Sequence, residues 1–360
     1  MTVFTEVNMA GLSLRIIFFA FSFSARNAQG EPFQAPSYNI NLDLPPEERW
    51  VNVTSKYAKY SPLIVDAIRQ EIPTYLVPLA ELLALYMEKH FPEPFPAEMR
   101  GVSKGLNLTL TDTLLLNIMY DLTAFCTSVV AQDNQGSIFH GRNLDYRFTG
   151  ILRNITFISN FQSKGKLMYT GVTFAGQVGL LTAQRPNAFT ISLDERDQGF
   201  VWQNILLALL NKKALPVTFL VRNVVSTPGM DFDHALEVLS QMPLIADCYL
   251  ILGGVNAGQG AVITRDREDT ANIWLLSNDT RKNPWFLVET NYDHWTTPPP
   301  SDDRRHPAIK ALTKITQEKI DAETLFSVMS EHPVLNNKTV YTCIMQAKNP
   351  DLFNTWIRRP

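Results

Sequence analysis

A thiol, a guanidinium and a carboxylate that could act together stand within one short stretch, at Cys126, Arg142 and Asp145. A thiolate is a strong nucleophile toward carbonyl carbon, and a fixed cation beside it favours the ionised form. Residues 127–131 read as a strand, Asp133-Asn134-Gln135-Gly136 as a turn, and 137–145 as a second strand. With Asn134-Gln135 at the tip of a two-residue turn, residues whose numbers sum to about 269 face each other. Cys126 is then expected opposite Asn143, with Arg142 beside it and Asp145 farther out on the Asn143 face; a bulge at Gly141 would turn Arg142 onto that face as well. The spacing fits equally a buried cysteine at a strand start next to a surface Arg–Asp pair, because cysteine is among the most buried residue types. No histidine stands at a revealing distance, so the stretch does not encode a Cys–His pair.

The surrounding pattern says what must hold these residues. Residues 29–50 are polar and proline-containing, expected as an extended arm. A helical stretch follows at 61–90, which Pro73 and Pro78 must break or kink and Pro92, Pro94 and Pro96 must end. Residues 106–124 are again apolar and helical in pattern. After the hairpin, strands are expected at 155–161, 166–173 and 188–193, an apolar helix at 200–210, antiparallel strands at 248–254, 260–265, 272–277 and 284–290, and a helix at 313–330. Helices, strands, a helix, more strands and a last helix point to an α+β protein with layered sheets rather than alternating βαβ units.

Composition narrows the function classes. The chain has 360 residues, 45% hydrophobic and 19% charged, enough to bury a large core. A net charge of -3 with no long Lys/Arg run provides no field for nucleic acid. Residues 12–25 are apolar around Ile16-Ile17-Phe18-Phe19 and too short for a comfortable span of ~20 residues; with small residues at Ala25 and Ala28 they read as a signal peptide over 1–28, a retained anchor being the alternative. Sequons at Asn52, Asn107, Asn154, Asn278 and Asn337 support a secretory route. The three cysteines, 126, 248 and 343, leave at least one thiol unpaired within the chain, and Cys248 with Cys343 can pair or stay buried. Zinc-type CxxC spacing is absent, and no cofactor is expected. Gly101-Val102-Ser103-Lys104-Gly105 has the form of a serine-hydrolase elbow, but the proline-rich run before it cannot be the buried strand an elbow needs. The glycines from Gly253 to Gly260 lack the order of a nucleotide loop and fit a tight turn.

Phe125-Cys126-Thr127-Ser128 followed by Gly141-Arg142-Asn143-Leu144-Asp145-Tyr146 resembles the N-terminal-nucleophile hydrolases of the choloylglycine-hydrolase type. The likeness continues in Leu193-Asp194-Glu195-Arg196, in Thr290–Trp295, in Asp302-Asp303-Arg304-Arg305 and from Val334 to Thr342, so it covers nearly the whole chain after the signal. It implies a sandwich of two antiparallel sheets between helical layers, with an N-terminal helical segment. It also implies that the chain cuts itself between Phe125 and Cys126 into an α piece, 29–125, and a catalytic β piece, 126–360, which stay together as a heterodimer. The freed Cys126 then carries both thiol and amine and needs no histidine, since its own amine can accept and return the proton. Arg142 should favour the thiolate and Asp145 the ammonium, so that the pair survives in acid. Asn291 matches a position whose amide helps bind the oxyanion, and Arg304 matches an active-site arginine. Glu195 could control acid-triggered cutting. For Asn291, Arg304 and Glu195 the residues alone also allow a turn asparagine, a surface cluster and a solvated loop carboxylate.

The resemblance implies a lipid amide substrate, with saturated N-acylethanolamines such as N-palmitoylethanolamine favoured over ceramide, and a lysosomal setting. Apolar runs at Leu114-Leu115-Leu116 and from Phe200 to Leu210 read mostly as core, with a share left to line an acyl channel or rest on a membrane surface. A non-enzymatic lipid carrier would fit the signal, sequons and apolar helices, but not the Cys126 hairpin with Asn291.

Overall fold

The computed structural model of the chain describes residues 30–71, 77–119, 124–196, 211, 213–276 and 285–359. The signal-like segment, Pro73, Asn278 and the helix expected at 200–210 lie outside the described residues.

Two sheets face each other. One has the order β1-β14-β13-β4-β3-β12, formed by Gly30–Gln34, Phe353–Arg359, Thr339–Met345, Ile138–Tyr146, Ala124–Gln132 and Phe286–Glu289. The other has the order β11-β10-β9-β8-β7-β6-β5-β2, formed by Thr270–Leu275, Gly260–Arg265, Cys248–Gly253, Phe189–Glu195, Thr182–Arg185, Lys166–Phe174, Thr156–Ser163 and Ser37–Asn41. Strand β3 packs across β8, β9 and β10, which joins the two inner faces. β9 and β10 are buried along their whole length because both their faces are covered, whereas edge strand β11 alternates between half-buried and exposed. The layered α+β expectation is met, with one departure from an all-antiparallel pattern: β2 runs parallel to β5.

Helices cover both outer faces. The 322–328 helix carries a reciprocal cap, with Asp321 accepting from Thr324 N at 2.7 Å and Thr324 Oγ1 accepting from Asp321 N at 2.8 Å. It lies on β13 and β4, while the 305–315 helix lies on β12. The opposite face is covered by the helices Val217–Ser226 and Phe232–Gln241. Chain order numbers the described helices α1 (Val51–Tyr57), α2 (Ser61–Glu71), α3 (Val77–Glu88), α4 (Phe95–Leu106), α5 (Leu110–Met119), α6 (Thr149–Ile155), α7 (217–226), α8 (232–241), α9 (305–315) and α10 (322–328).

The expected arm at 29–50 is instead two strands, β1 on the edge of one sheet beside β14 and β2 on the edge of the other beside β5. Their polar texture follows from the edge position, where one side meets water. The expected helical stretch is seen among the described residues as α2 and α3, with Pro78 in the first turn of α3. Proline does not end the helical region at 92–96 but starts α4, where Pro96 falls in the first turn and its missing N–H costs nothing. Ser103 therefore sits on a helix, its hydroxyl donating to Leu108 O at 2.8 Å. Gly101 is there for packing, since a Cβ would come within 2.0 Å of Glu47 O.

Helix α4 docks on α7 through Phe95 and Phe219, stacked at 4.1 Å. Beside them Glu98, fully buried, takes both terminal nitrogens of Arg222, with Arg222 Nη2 at 2.7 Å, and also accepts from Trp50 Nε1 at 2.7 Å and Arg49 Nη1 at 2.9 Å. This cluster joins the N-terminal helices to the layer that follows Cys126.

Candidate active site

The β3–β4 hairpin has a different register from the one expected. Gly136 adopts φ 83°, Asp133 N donates to Ser137 O at 3.0 Å, and the strands pair from Gln132 and Ile138 outward. The turn thus has one more residue than a two-residue turn, and every pairing moves by one. Cys126 lies opposite Leu144, Thr127 opposite Asn143, Ser128 opposite Arg142 and Phe125 opposite Asp145. A one-residue shift exchanges faces. Cys126, Ser128 and Arg142 point between the sheets, with no bulge needed at Gly141, whereas Asn143 and Asp145 point to the helical side.

That division sorts the site into two half-shells around Cys126. Between the sheets, Arg142 Nη2 donates to Cys126 Sγ at 2.9 Å and to Leu193 O at 2.7 Å. Its Nη1 donates to Leu181 O at 2.6 Å and Thr182 Oγ1 at 2.9 Å, and the guanidinium lies 5.7 Å from the centre of the Tyr341 ring. The cation is thereby fixed by neutral acceptors from β8, from β7 and from the residue just before β7, which leaves its charge available to the thiol. Arg142 and Cys126 are both fully buried, so the alternative of a surface Arg–Asp pair is excluded.

On the other side, Arg304 at the N-terminus of α9 donates from Nη1 to Cys126 O and Thr127 Oγ1, and from Nη2 to Asn291 Oδ1 at 2.8 Å. Asp302 holds the same guanidinium by Nε at 3.0 Å and Nη2 at 2.9 Å. Arg304 is only 2% exposed, which rules out a plain surface cluster. Asn291 Oδ1 also accepts from Cys126 N at 2.8 Å, and its Nδ2 donates to Glu195 O at 2.7 Å. Asn291 is thus a buried residue in direct contact with Cys126.

Asp145 lies 3.6 Å from Arg304 through Oδ2, which also accepts from Asn336 Nδ2 at 2.7 Å. Its Oδ1 is buried with no hydrogen-bond partner among the described residues. Burial pushes the carboxyl up to about 6, against the pull of the Arg304 charge and the hydrogen bonds from Thr339 and Asn336. Glu195 closes β8 half-buried, and its backbone carbonyl is the part that touches Asn291. Cys126, Arg142, Asn291, Arg304 and Asp145 are therefore brought together, with the Glu195 backbone at the margin. The other two cysteines, in β9 and β13, are buried and form no disulfide among the described residues.

Sequence reasoning missed Asn336, Asp302, Tyr341, Ser128 and Asp194 as neighbours of the site. Asp302 beside Arg304 and Ser128 two residues from Cys126 were local signals; the rest converge only through tertiary packing. His140 shares the Arg142 face but hydrogen-bonds Thr190 Oγ1 at 3.0 Å and Ser192 Oγ at 2.9 Å, and burial with the Arg142 charge pushes it down to about 3, so it is neutral. An apolar cavity is lined from both sides of residue 125, by Ile64, Ala67 and Leu116 before it and by Tyr146, Leu152 and Phe174 after it. Tyr146 shares the Cys126 face of β4, two residues beyond Leu144. A thiol under a fixed cation, with buried amide and guanidinium groups on the backbone of the same residue, can form and break an acyl bond.

A family model described as linear amide C–N hydrolases, choloylglycine hydrolase family, matches residues 126–310, and one described as the beta subunit of N-acylethanolamine-hydrolyzing acid amidase matches 33–91. The chain is 47% identical over 327 residues to the N-acylethanolamine-hydrolyzing acid amidase of Oryctolagus cuniculus, covering 90% of each chain. It is 36% identical over 346 residues to the acid ceramidase of Homo sapiens, covering 90% of this chain and 86% of that one. The solved structure of the Caenorhabditis elegans N-acylethanolamine-hydrolyzing acid amidase ortholog is 39% identical with a TM-score of 0.59, covering 64% of this chain and 99% of that chain. With this fold and these relatives, the chain belongs to the choloylglycine-hydrolase family of N-terminal-nucleophile amide hydrolases, in its N-acylethanolamine-hydrolyzing acid amidase branch.

Proposed function

We propose that the protein hydrolyses N-acylethanolamines such as N-palmitoylethanolamine to fatty acid and ethanolamine, with Cys126 as nucleophile after the chain cuts itself between Phe125 and Cys126. The observation that carries this reading is the 2.9 Å contact from the buried Arg142 to Cys126 Sγ, with Asn291 and Arg304 on the backbone of the same residue. In the cut, the thiol attacks the Phe125 carbonyl and the scissile nitrogen leaves with a proton. This N-to-S acyl shift gives a thioester, which water hydrolyses to a Phe125 carboxylate and a Cys126 thiol. The new α-amine then takes the thiol proton and returns it to the leaving ethanolamine nitrogen, and water releases the fatty acid.

The surroundings support these roles. Arg142 favours the thiolate in acid, where a free thiol with pKa ~8.5 is almost wholly protonated. Asp145, whose Oδ1 has no partner among the described residues and whose strand position lies opposite Phe125, is suited to accept from the new ammonium, whose charge would pull the raised carboxyl back toward its ionised form. Asn291 Nδ2, exchanging Glu195 O for the substrate, would supply an oxyanion donor worth ~2.7–4 kcal/mol. Glu195 would regulate the acid-triggered cut. The pieces 29–125 and 126–360 would remain a heterodimer, since β1 and β2 sit on the edges of both sheets. A secretory route to the lysosome rests on the signal-like segment and on sequons, of which Asn52, Asn107, Asn154 and Asn337 are all exposed. The higher identity to the N-acylethanolamine-hydrolyzing acid amidase of Oryctolagus cuniculus, 47%, than to the acid ceramidase of Homo sapiens, 36%, favours that substrate over ceramide.

N-terminal sequencing of acid-treated protein, with N-palmitoylethanolamine hydrolysis by wild type and Cys126→Ser, tests the reading. A chain that stays whole, or a Cys126→Ser variant that hydrolyses normally, overturns it. Ceramide assayed in parallel ranks the two substrates.

A further inference from the structure

Behind the Cys126–Arg142 contact lies a buried polar cluster that the hydrolytic cycle does not use. Ser128, directly across the hairpin from Arg142 and on the same face, donates to Asp194 Oδ1 at 2.8 Å and lies 2.8 Å from Ser192 Oγ, which in turn meets His140. Asp194 is fully buried on β8, and its Oδ2 has no hydrogen-bond partner among the described residues. It sits one residue beyond Leu193, whose carbonyl holds Arg142 Nη2. A carboxyl is a poor choice for such a place on stability grounds, because burying its charge is costly without a full set of partners. It is well placed to act on the neighbouring guanidinium.

We propose that Asp194 is a positioning residue that sets, through Arg142 and Ser128, how much positive charge reaches the Cys126 thiol. The inference rests on Cys126 being the nucleophile. With Asp194 neutral, the Arg142 charge is left to stabilise the thiolate; with Asp194 ionised, part of that charge is compensated from behind and the thiolate is less favoured. The nucleophile is thus strengthened under acidic conditions.

Among the other groups facing Asp194, Glu289 and Asp145 are further carboxyls raised by burial, and the rest keep one charge state near neutrality. Burial pushes Asp194 up to about 7, against the Arg142 charge and the Ser128 hydrogen bond. On β4, His140 is neutral and Arg142 permanently charged. On β9, Tyr249 lies opposite Asp194 and is held neutral by burial, with its hydroxyl on Asp293 at 2.8 Å. Arg196, just past the end of β8, is engaged by Asp293 and Asp266. Glu289 on β12 is raised well above the ordinary range by burial, against the Arg305 charge, and is the second carboxyl of the cluster. Asp145 and Arg304 act from the far side of the hairpin.

The test is the alkylation rate of Cys126 by iodoacetamide against pH, in acid-processed full chain, with the label located by peptide mass. Asp194→Asn, which fixes the neutral form, should lower the apparent thiol pKa by about 1 unit, so that labelling at pH ~7.5 rises several-fold. The upper limb of N-palmitoylethanolamine hydrolysis should move up with it. Ser128→Ala removes the hydrogen bond that favours the ionised carboxylate, so it should move both curves the same way by less. Glu289→Gln reports the share of the second carboxyl. Profiles of Asp194→Asn and Ser128→Ala that superpose on wild type, or that fall uniformly at every pH, overturn the proposal; if Asp194→Asn does not fold, Ser128→Ala decides alone. Label absent from Cys126 in wild type would instead refute the nucleophile.

Discussion

The cluster at Glu98 makes a quantitative prediction about what joins the two sides of the cut. Glu98 comes from α4, before residue 125, and Arg222 from α7, after it; they are 0% and 3% exposed. The carboxylate accepts from Arg222 twice, from Trp50 and from Arg49, and the guanidinium is also 4.8 Å from the Phe161 ring and bound to Val178 O at 2.8 Å. Burial alone would raise the Glu98 carboxyl, but the Arg222 charge and the hydrogen bonds from Arg222, Trp50 and Arg49 outweigh it and hold the group below its ordinary value of 4.5. Its stabilisation is therefore complete above pH 4.5 and fades only as pH falls through the lower folded value. Removing one partner strands the other charge in the core, which costs ~3–5 kcal/mol. Glu98→Leu and Arg222→Met should each lose about that much in urea unfolding monitored at pH ~6. The double variant Glu98→Leu/Arg222→Met should regain most of it, giving a coupling energy of ~2–3 kcal/mol or more in the double-mutant cycle. Single losses under ~1 kcal/mol that simply add would refute the claim that this pair is a dry, mutually compensating joint.

Stability should also depend on pH in an unusual direction. Burial raises Asp145 and Asp247 to about 6 and Asp194 to about 7 from the ordinary 3.8. Their folded states bind protons that the unfolded chain has released, so their contribution is full below 3.8 and is lost as pH rises through about 6 to 7. A shift of this size is on the order of 3 kcal/mol for a fully buried group, and thermal midpoints should be higher at pH ~5 than at pH ~7.5; a flat or rising profile would contradict the burial of these acids. Arg142→Met should slow Cys126 alkylation in acid by at least tenfold, since an adjacent cation shifts a pKa by ~1–3 units; an unchanged rate would mean that the 2.9 Å contact does not act on the thiol. Ser103→Ala should leave cutting and hydrolysis at wild-type rates, because the hydroxyl only closes the end of α4 onto Leu108 O. Gly101→Ala should cost several kcal/mol in urea unfolding, since its Cβ meets backbone at Glu47.

Much of the fold was legible where a segment carries its own period. The strands at β5, β6, β8, β9 and β10 were readable from apolar runs bounded by turn residues. β7, β13, β14 and helices α4, α6, α7 and α8 were not picked out, and the pattern of each is explained by neighbours far away in the chain. β13 is buried at every position because it lies between β4 and β14 under α10. Its alternation is erased by cover on both faces. β1 and β2 read as an arm because edge strands are polar and short; nothing local says that each joins a different sheet. The turn was located correctly, yet its length depended on Gly136 taking positive φ, a choice that a Gly in this position permits but does not dictate.

For the site, the sequence by itself supplied candidates: a cysteine and an arginine sixteen residues apart, with an asparagine, a second arginine and a carboxylate singled out by the family resemblance and not by their spacing. It could not determine which side of the hairpin each one occupies. One extra residue in the turn sends Arg142 to the thiol and Asp145 to the opposite face, because neighbouring side chains on a strand point opposite ways. Only the tertiary structure brings Asn291 and Arg304, 165 and 178 residues away, onto the backbone of Cys126. It also buries Asp194 behind Arg142. Those approaches depend on sheet pairing and on the N-terminus of helix α9 meeting β3, and long-range packing of that kind leaves no mark in local residue spacing.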